Sequence, residues 1–374
     1  MRQKTKMKTA LFSIIAFIVG IIAGLSSYVL AFSPESDILW AIAKGDLSIH
    51  FLELGNKYAG DCIYIKANDN DILIDAGSRQ NSSTTIINYV NKYCTDGKLE
   101  YVVATHAHQD HIAAFPKTSK RNGIFAEYEV DNIIDFGTAT KFHYGSTPTT
   151  VYNNYVAERD AEIDAGAQYF PVSNYNEDDF QKTFELGEGI TLTILNNHYY
   201  YNEATDENDY SVCLLLTQGS TNVLLTGDLE EEGEIELLKN HPDLPECALF
   251  KAGHHGSKSS SSEELLEQIK PKNVVFTCVA GATEYTTNLD NVFPTKEALT
   301  RIAKHTSNCY VTSVCTNTKK ELMAENFSNF TSMNGDIVFT SNSSGYSIKC
   351  TNNNTLLKDT AWCKEYRKDI QWIA

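Results

Sequence analysis

The pattern of apolar and polar positions divides most of this chain into short strands and amphipathic helices. Leu47-Ser48-Ile49-His50-Phe51-Leu52-Glu53-Leu54 alternates with period two, which predicts a strand. Cys62-Ile63-Tyr64-Ile65 and Ile72-Leu73-Ile74 predict two more, joined by a turn at Asn68-Asp69-Asn70. Tyr101–Ala104, Asn132–Phe136, Ile190–Leu195, Ser211–Leu216, Asn222–Thr226, Asn273–Cys278 and Asn308–Val314 read as further strands. Helical spacing predicts helices over 83–93, with Ile86, Ile87 and Val90 on one face, and over 152–165, 229–239, 259–269 and 296–305. Ile112–Phe115 reads as the opening of another helix, and Asp336–Thr340 with Tyr346–Cys350 as a closing hairpin. Strands that alternate with helices predict βα units. Residues 120–205 break the simple pattern and are crowded with aromatics; they read as a lid facing a substrate, with a variable surface insertion as the alternative.

The N-terminus follows a different rule. Arg2, Lys4, Lys6 and Lys8 precede an uncharged apolar run from Ala10 to Phe32. Residues 1–32 therefore read as a signal peptide or an N-terminal membrane anchor, the run being long enough to span a bilayer. A cationic flank stays inside, so the rest is expected outside the cell, secreted or tethered to the membrane through residues 10–32. Residues 33–46 read as a linker, 47–350 as one domain and 351–374 as a polar-aromatic tail.

Composition narrows the class of partner. The 374 residues carry a formal net charge of −17, which argues against charge-driven binding of nucleic acid. The nine cysteines include no Cys-x-x-Cys pair, so a thiolate zinc site is not expected. Cys62, Cys213, Cys247 and Cys278 lie in apolar runs and read as buried thiols. Cys309 with Cys315, or Cys350 with Cys363, are the candidate disulfides in an oxidising compartment.

The candidate chemistry is concentrated in Thr105-His106-Ala107-His108-Gln109-Asp110-His111, directly after an apolar strand. Three of the chain's ten histidines fall within six residues here. Imidazole and carboxylate ligands suit zinc, with manganese and iron as alternatives. His50, alone in its strand, reads as a structural histidine.

His-x-His-x-Asp-His after a hydrophobic strand resembles the signature of the metallo-β-lactamase fold hydrolases. Leu73-Ile74-Asp75-Ala76-Gly77, Val223-Leu224-Leu225-Thr226-Gly227-Asp228 and Lys251-Ala252-Gly253-His254-His255-Gly256-Ser257 fit the same pattern in the same order. The His-His-Gly-Ser form is similar to the hydrolase domain of the ComEC competence proteins and to secreted phosphorylcholine esterases. Gly60-Asp61 stands where the ComEC-like pattern has a Gly-Asp pair. The resemblance implies an α/β fold, a four-layer αββα sandwich, preceded here by the one N-terminal hydrophobic helix.

It also implies two divalent metal ions. His106 and His108 would hold one; Asp110, His111 and His255 the other; Asp228 would bridge them, and Asp75 would support the ligands from behind. His254 would face the substrate and protonate a leaving oxygen, although the roles of His254 and His255 could be exchanged. Asp110 is grouped with His254 as catalytic. Many members of the family have one more histidine before the bridging aspartate. Here only His143 and His198 are available, and Asn208-Asp209-Tyr210-Ser211 resembles the segment that lacks it. The His106/His108 site is therefore expected to be the weaker, which disfavours a β-lactamase. The expected activity is an exported phosphodiesterase or nuclease. A phosphorylcholine or teichoic-acid esterase of the cell surface, and a non-catalytic metal-containing module, are the alternatives, so the expected partner is a phosphodiester or cell-wall substrate.

Overall fold

The computed structural model describes residues 47–137, 149–187, 189–315 and 330–373. The signal or anchor segment, the linker and His143 lie outside the described residues. Among the described residues, no helix is long and apolar enough to cross a membrane.

Among the described residues, sixteen strands form two eight-stranded sheets. In chain order they are β1 (Leu47–Phe51), β2 (Ile63–Ala67), β3 (Asn70–Ile74), β4 (Lys98–Ala104), β5 (Glu129–Asp135), β6 (Gln168–Pro171), β7 (Thr183–Glu185) and β8 (Ile190–Ile194). Then follow β9 (Leu214–Gln218), β10 (Thr221–Leu225), β11 (Leu249–Lys251), β12 (Val274–Ala280), β13 (Cys309–Cys315), β14 (Phe330–Ser332), β15 (Ile337–Asn342) and β16 (Gly345–Cys350). One sheet runs β16-β15-β1-β2-β3-β4-β5-β6, the other β14-β13-β12-β11-β10-β9-β8-β7. Both are mixed: β3 to β6 are parallel neighbours in the first, β10 to β13 in the second.

Alternation along the strands explains the packing. Leu47, Ile49 and Phe51 of β1 join Ile63 and Ile65 of β2 against Leu192, Leu214, Leu216 and Val223 of the other sheet. Ser48 and His50 point to the opposite face, as successive side chains of a strand must. There the outer face of the first sheet is covered by α1 (Ser82–Val90), α2 (Gln109–Ile112), α3 (Ile124–Glu127) and α4 (Thr150–Ala165), which contribute Ile86, Ile112, Ile124 and Tyr155 to a second core. The outer face of the second sheet is covered by α5 (Glu231–Asn240), α6 (Glu263–Ile269), α7 (Lys296–Ile302) and α8 (Ala361–Tyr366), through Leu237, Leu265, Leu299 and Trp362. The order across the molecule is helices, sheet, sheet, helices, in an α/β protein.

Four sequence expectations change. The described part of residues 120–205 supplies scaffold as well as connections: β5 and β6 complete the first sheet, and β7 and β8 end the second. The tail 351–374 is part of the folded unit, because Leu357, Trp362, Cys363 and Ile370 are buried in the second sheet's helical layer. The helix expected from Ile112 onward lies earlier, as the single turn α2 that itself carries Asp110 and His111. The Cys309–Cys315 disulfide is excluded, since both residues sit at opposite ends of β13 and both are free thiols. Six strand steps separate them by about 20 Å. Cys350 and Cys363 are free as well, while Cys62, Cys213, Cys247 and Cys278 are buried thiols as expected.

Candidate metal centre

The C-terminal ends of the parallel strands meet at one edge of the sandwich, where α/β sheets commonly place their ligands. Asp75 follows β3, the His-rich loop follows β4, Asp228 follows β10, and His254 and His255 follow β11. Asp110, His111, Asp228 and His255 offer ligand atoms that all lie within 4.8 Å of one another. These residues span 145 positions of sequence, so the fold alone assembles them.

Close backbone approach makes this possible. Asp61 N–H donates to Asp110 O at 3.1 Å, Gly77 N–H to Asp61 O at 2.8 Å, and Ala76 N–H to His111 O at 2.7 Å. A Cβ at Gly77 would stand 1.5 Å from Asp110 O, so only glycine admits α2 at this position. Asp75, His254 and His255 adopt left-handed backbone angles, with φ of 59°, 46° and 54°. Such conformations cost of order 1–3 kcal/mol each in a residue with a Cβ. Their concentration at one edge marks a site whose geometry outweighs local backbone preference.

Each buried histidine of the cluster is oriented from behind by a carboxylate. His111 Nδ1 lies 2.7 Å from Asp75 Oδ2, and its Nε2 lies 3.1 Å from Asp228 Oδ2. Asp75 is itself fixed by Thr105, whose N–H and Oγ1–H each donate to it at 2.8 Å. His255 Nδ1 lies 3.3 Å from Asp61 Oδ1, while its Nε2 lies 3.2 Å from Asp228 Oδ2 and 3.5 Å from Asp110 Oδ2. Thr277 Oγ1 donates to Asp61 Oδ1. Carboxylates behind metal-binding imidazoles fix the tautomer and aim the other nitrogen at the metal.

The electrostatics fit a cation. Burial alone would raise the Asp228 carboxyl, but His111, His255, Lys251 and His254 outweigh it and hold it well below the usual range. Burial would lower His111 and His255, yet Asp228 with Asp75 or Asp61 pushes both well above the ordinary imidazole value. The carboxylates thus demand positive charge at this point, and a divalent ion would supply it in place of protons. His255 Nε2 is fully buried and has no hydrogen-bond partner of good geometry. A free nitrogen among two imidazoles and two carboxylates matches the donor set of zinc, manganese or iron.

His106 and His108 stand differently. His106 Nε2 and His108 Nδ1 are 3.0 Å apart, and the His106 ring centroid is 4.1 Å from that of His111. Neither belongs to the four-ligand cluster. Burial, then the nearby His111 and His108, lowers His106 well below its ordinary value, so it is a neutral donor. The two form an adjoining pair that, among the described residues, belongs to no cluster of three or more candidate ligands. His198 is no substitute: it contacts Tyr199, Tyr201 and Asn202.

The two late histidines separate cleanly. His255 is buried and His254 is 23% exposed at its side chain. His254 Nδ1 lies 3.3 Å from Glu230 Oε1, and its Nε2 stands 4.0 Å from Asp228 Oδ2. His255 is thus the inner residue and His254 the outer one.

Asp61 and Lys251 received no role from the sequence. Lys251 Nζ is buried, 2.7 Å from Asp61 Oδ2 and 3.3 Å from Asp228 Oδ1, and it donates to Gly227 O at 3.0 Å. The signal available was a charged residue closing the apolar run Ala248-Leu249-Phe250. Glu230, which orients His254, carried no such signal.

Residues 55–194 match the family model described as the Metallo-beta-lactamase superfamily. That match covers less than half of the chain; in the described residues the αββα layering and the clustered candidate ligands around it are similar to that superfamily. By sequence, 92 residues are 37% identical to ComE operon protein 3 of Bacillus subtilis (strain 168), covering 24% of this chain and 12% of that protein. Another 84-residue match is 37% identical to Recombination protein 2 of Haemophilus influenzae, covering 22% and 10%. The chain thus spans about a tenth of the length of these relatives. Among solved structures it is similar to the metallo-beta-lactamase fold protein YhfI from Bacillus subtilis, with 14% identity, a TM-score of 0.40, and coverage of 72% of this chain and 96% of that one.

Proposed function

We propose that this protein is a phosphodiesterase that acts outside the cell membrane. One observation carries the reading: two imidazoles and two carboxylates from four distant segments converge within 4.8 Å, each imidazole braced by a further carboxylate. His111, Asp110, Asp228 and His255 would hold a divalent ion, with His106 and His108 beside it for a weaker second. When bound, such ions acidify a water and stabilise the negative charge that develops on phosphorus oxygens.

The chain's own residues supply the rest. Asp75 and Asp61 keep the Nδ1 protons of His111 and His255 turned away from the cluster. Lys251 holds one oxygen of Asp228, leaving Oδ2 toward the histidines. His254, partly exposed and held by Glu230, is placed to give a proton from Nε2 to a leaving oxygen. The basic start and the apolar run before residue 33 support an exported position. The net charge of −17 favours small or single-stranded phosphodiesters, or a cell-wall ester, over duplex DNA.

The test is hydrolysis of bis-p-nitrophenyl phosphate with zinc or manganese, beside p-nitrophenyl phosphorylcholine. Asp228→Ala is expected to abolish turnover and to lower metal content sharply. His254→Ala is expected to lower turnover more than metal occupancy. A folded wild-type protein that hydrolyses no phosphodiester with any metal overturns the proposal and leaves a metal-containing surface module.

A further inference from the structure

Resting on the phosphodiesterase reading, we infer that Tyr285 is a specificity-determining residue: its ring stacks on a flat group, such as a nucleobase, next to the phosphate being cut. Tyr285 is 60% exposed, whereas most aromatic residues described here are buried or partly so. A single exposed ring is ordinary on a protein surface, so what distinguishes Tyr285 is its place beside the candidate ligands. It is also fixed in direction. Its hydroxyl donates to Asp110 Oδ2 at 3.3 Å, which ties the ring to the metal cluster. Its ring centroid is 5.5 Å from that of Phe293, and Phe293 in turn lies 5.8 Å from His254.

The same rim carries a cation. The Arg79 guanidinium pairs with Glu284, the residue before Tyr285, at 3.1 Å, and its side chain is 30% exposed. With its amide turned so that oxygen faces the guanidinium, Gln109, the residue before Asp110, accepts from Arg79 at 3.2 Å. A planar platform and a guanidinium therefore flank one candidate metal ligand. A flat ring and a guanidinium on one rim suit a nucleotide, whose base stacks while its phosphate meets positive charge.

A trimethylammonium headgroup fits less well. Quaternary ammonium groups are gripped by several ring faces that form a cage. The nearby Tyr58 ring is covered by Arg79 at 3.9 Å, and Phe293 already packs on Tyr285, His254 and His255. One open ring face is a platform, not a cage. Such a contact is local, so it does not conflict with the chain's acidic charge.

The test compares a hexathymidylate strand with an abasic strand of the same length, on the metal-loaded full chain. KM is read from hydrolysis and binding from fluorescence anisotropy of labelled strands. Wild type is expected to favour the base-bearing strand about tenfold, the effect of one stacked base. Tyr285→Ala should bring the two strands to near equality, and Tyr285→Phe should restore most of the preference. Equal binding of both strands by wild type, or an unchanged preference in Tyr285→Ala, overturns the inference. Loss of p-nitrophenyl phosphorylcholine binding in Tyr285→Ala, with the base preference intact, overturns it in favour of a headgroup site. If wild type cuts neither strand but binds them with the expected preference, the stacking role stands and the phosphodiesterase reading fails.

Discussion

Replacing Asp61 by asparagine tests whether the charge behind the cluster matters as much as its geometry implies. Asparagine keeps the shape and the acceptor for Thr277 but removes the negative charge that faces Lys251 at 2.7 Å and His255 at 3.3 Å. Asp61 and Lys251 are each 1% exposed at the side chain. At that separation the gross attraction is about 6 kcal/mol for an effective dielectric constant near 20, and the desolvation of both groups offsets much of it. Removing one partner of a buried pair costs about 3–5 kcal/mol, since the other charge is left behind. Lys251 keeps Asp228 and the Gly227 carbonyl, so the lower end applies, about 3 kcal/mol. For a protein of this size that is a fall in Tm of about 4 °C, measured with chelator present. Metal affinity should drop about 10- to 100-fold, because His255 loses the group that orients it.

Lys251→Met alone should cost about as much, as it leaves Asp61 and Asp228 without their shared cation. The double variant should cost about 2 kcal/mol less than the sum of the two single changes, since each removes the partner that the other strands. Additivity within about 0.5 kcal/mol would show that the two charges are not coupled and would refute the reasoning. Unchanged metal affinity in Asp61→Asn would refute the orienting role.

Trp362→Ala should destabilise the protein by about 3–5 kcal/mol in denaturant unfolding, because Trp362 is 1% exposed within the second sheet's helical layer. A loss below about 1 kcal/mol would show that the tail is not part of the folded unit. His50 predicts a pH effect away from the site. It is buried between Tyr89 Oη at 2.8 Å and Ser48 Oγ at 2.9 Å, and burial lowers its pKa from 6.5 to about 3. The unfolded chain therefore takes up a proton that the folded chain refuses, so stability is present above pH 6.5 and is lost as pH falls toward 3. Between pH 7 and pH 5 the loss is about 2 kcal/mol, and His50→Gln should lack it. An equal shift of the denaturation midpoint in that variant would exclude His50 as the source.

The sequence by itself determined most of the strands, several helices and the local His-rich motif. Period-two alternation and short apolar runs mark strands because a strand between two layers buries opposite faces in different cores. Leu47, Ile49 and Phe51 facing one core with His50 facing the other show this directly. The motif around His106–His111 was legible because its residues are adjacent in the chain. Asp228 and His255 were legible only through resemblance, since nothing in their own neighbourhoods distinguishes a ligand from a helix cap or a loop histidine.

Tertiary structure decided what pairs across distance. Which late histidine lies inside follows from two left-handed residues that turn His255 inward and His254 outward. That Asp61 braces His255, and that Lys251 sits between Asp61 and Asp228, depends on strands from both sheets ending at one edge. The same holds for Arg79, Gln109 and Tyr285, which meet at the rim although 206 positions separate the first from the last. Local pattern reports which face of an element is buried. It carries no record of which buried charges come to face one another, because their interaction energy exists only after the sheets have stacked and water has been excluded.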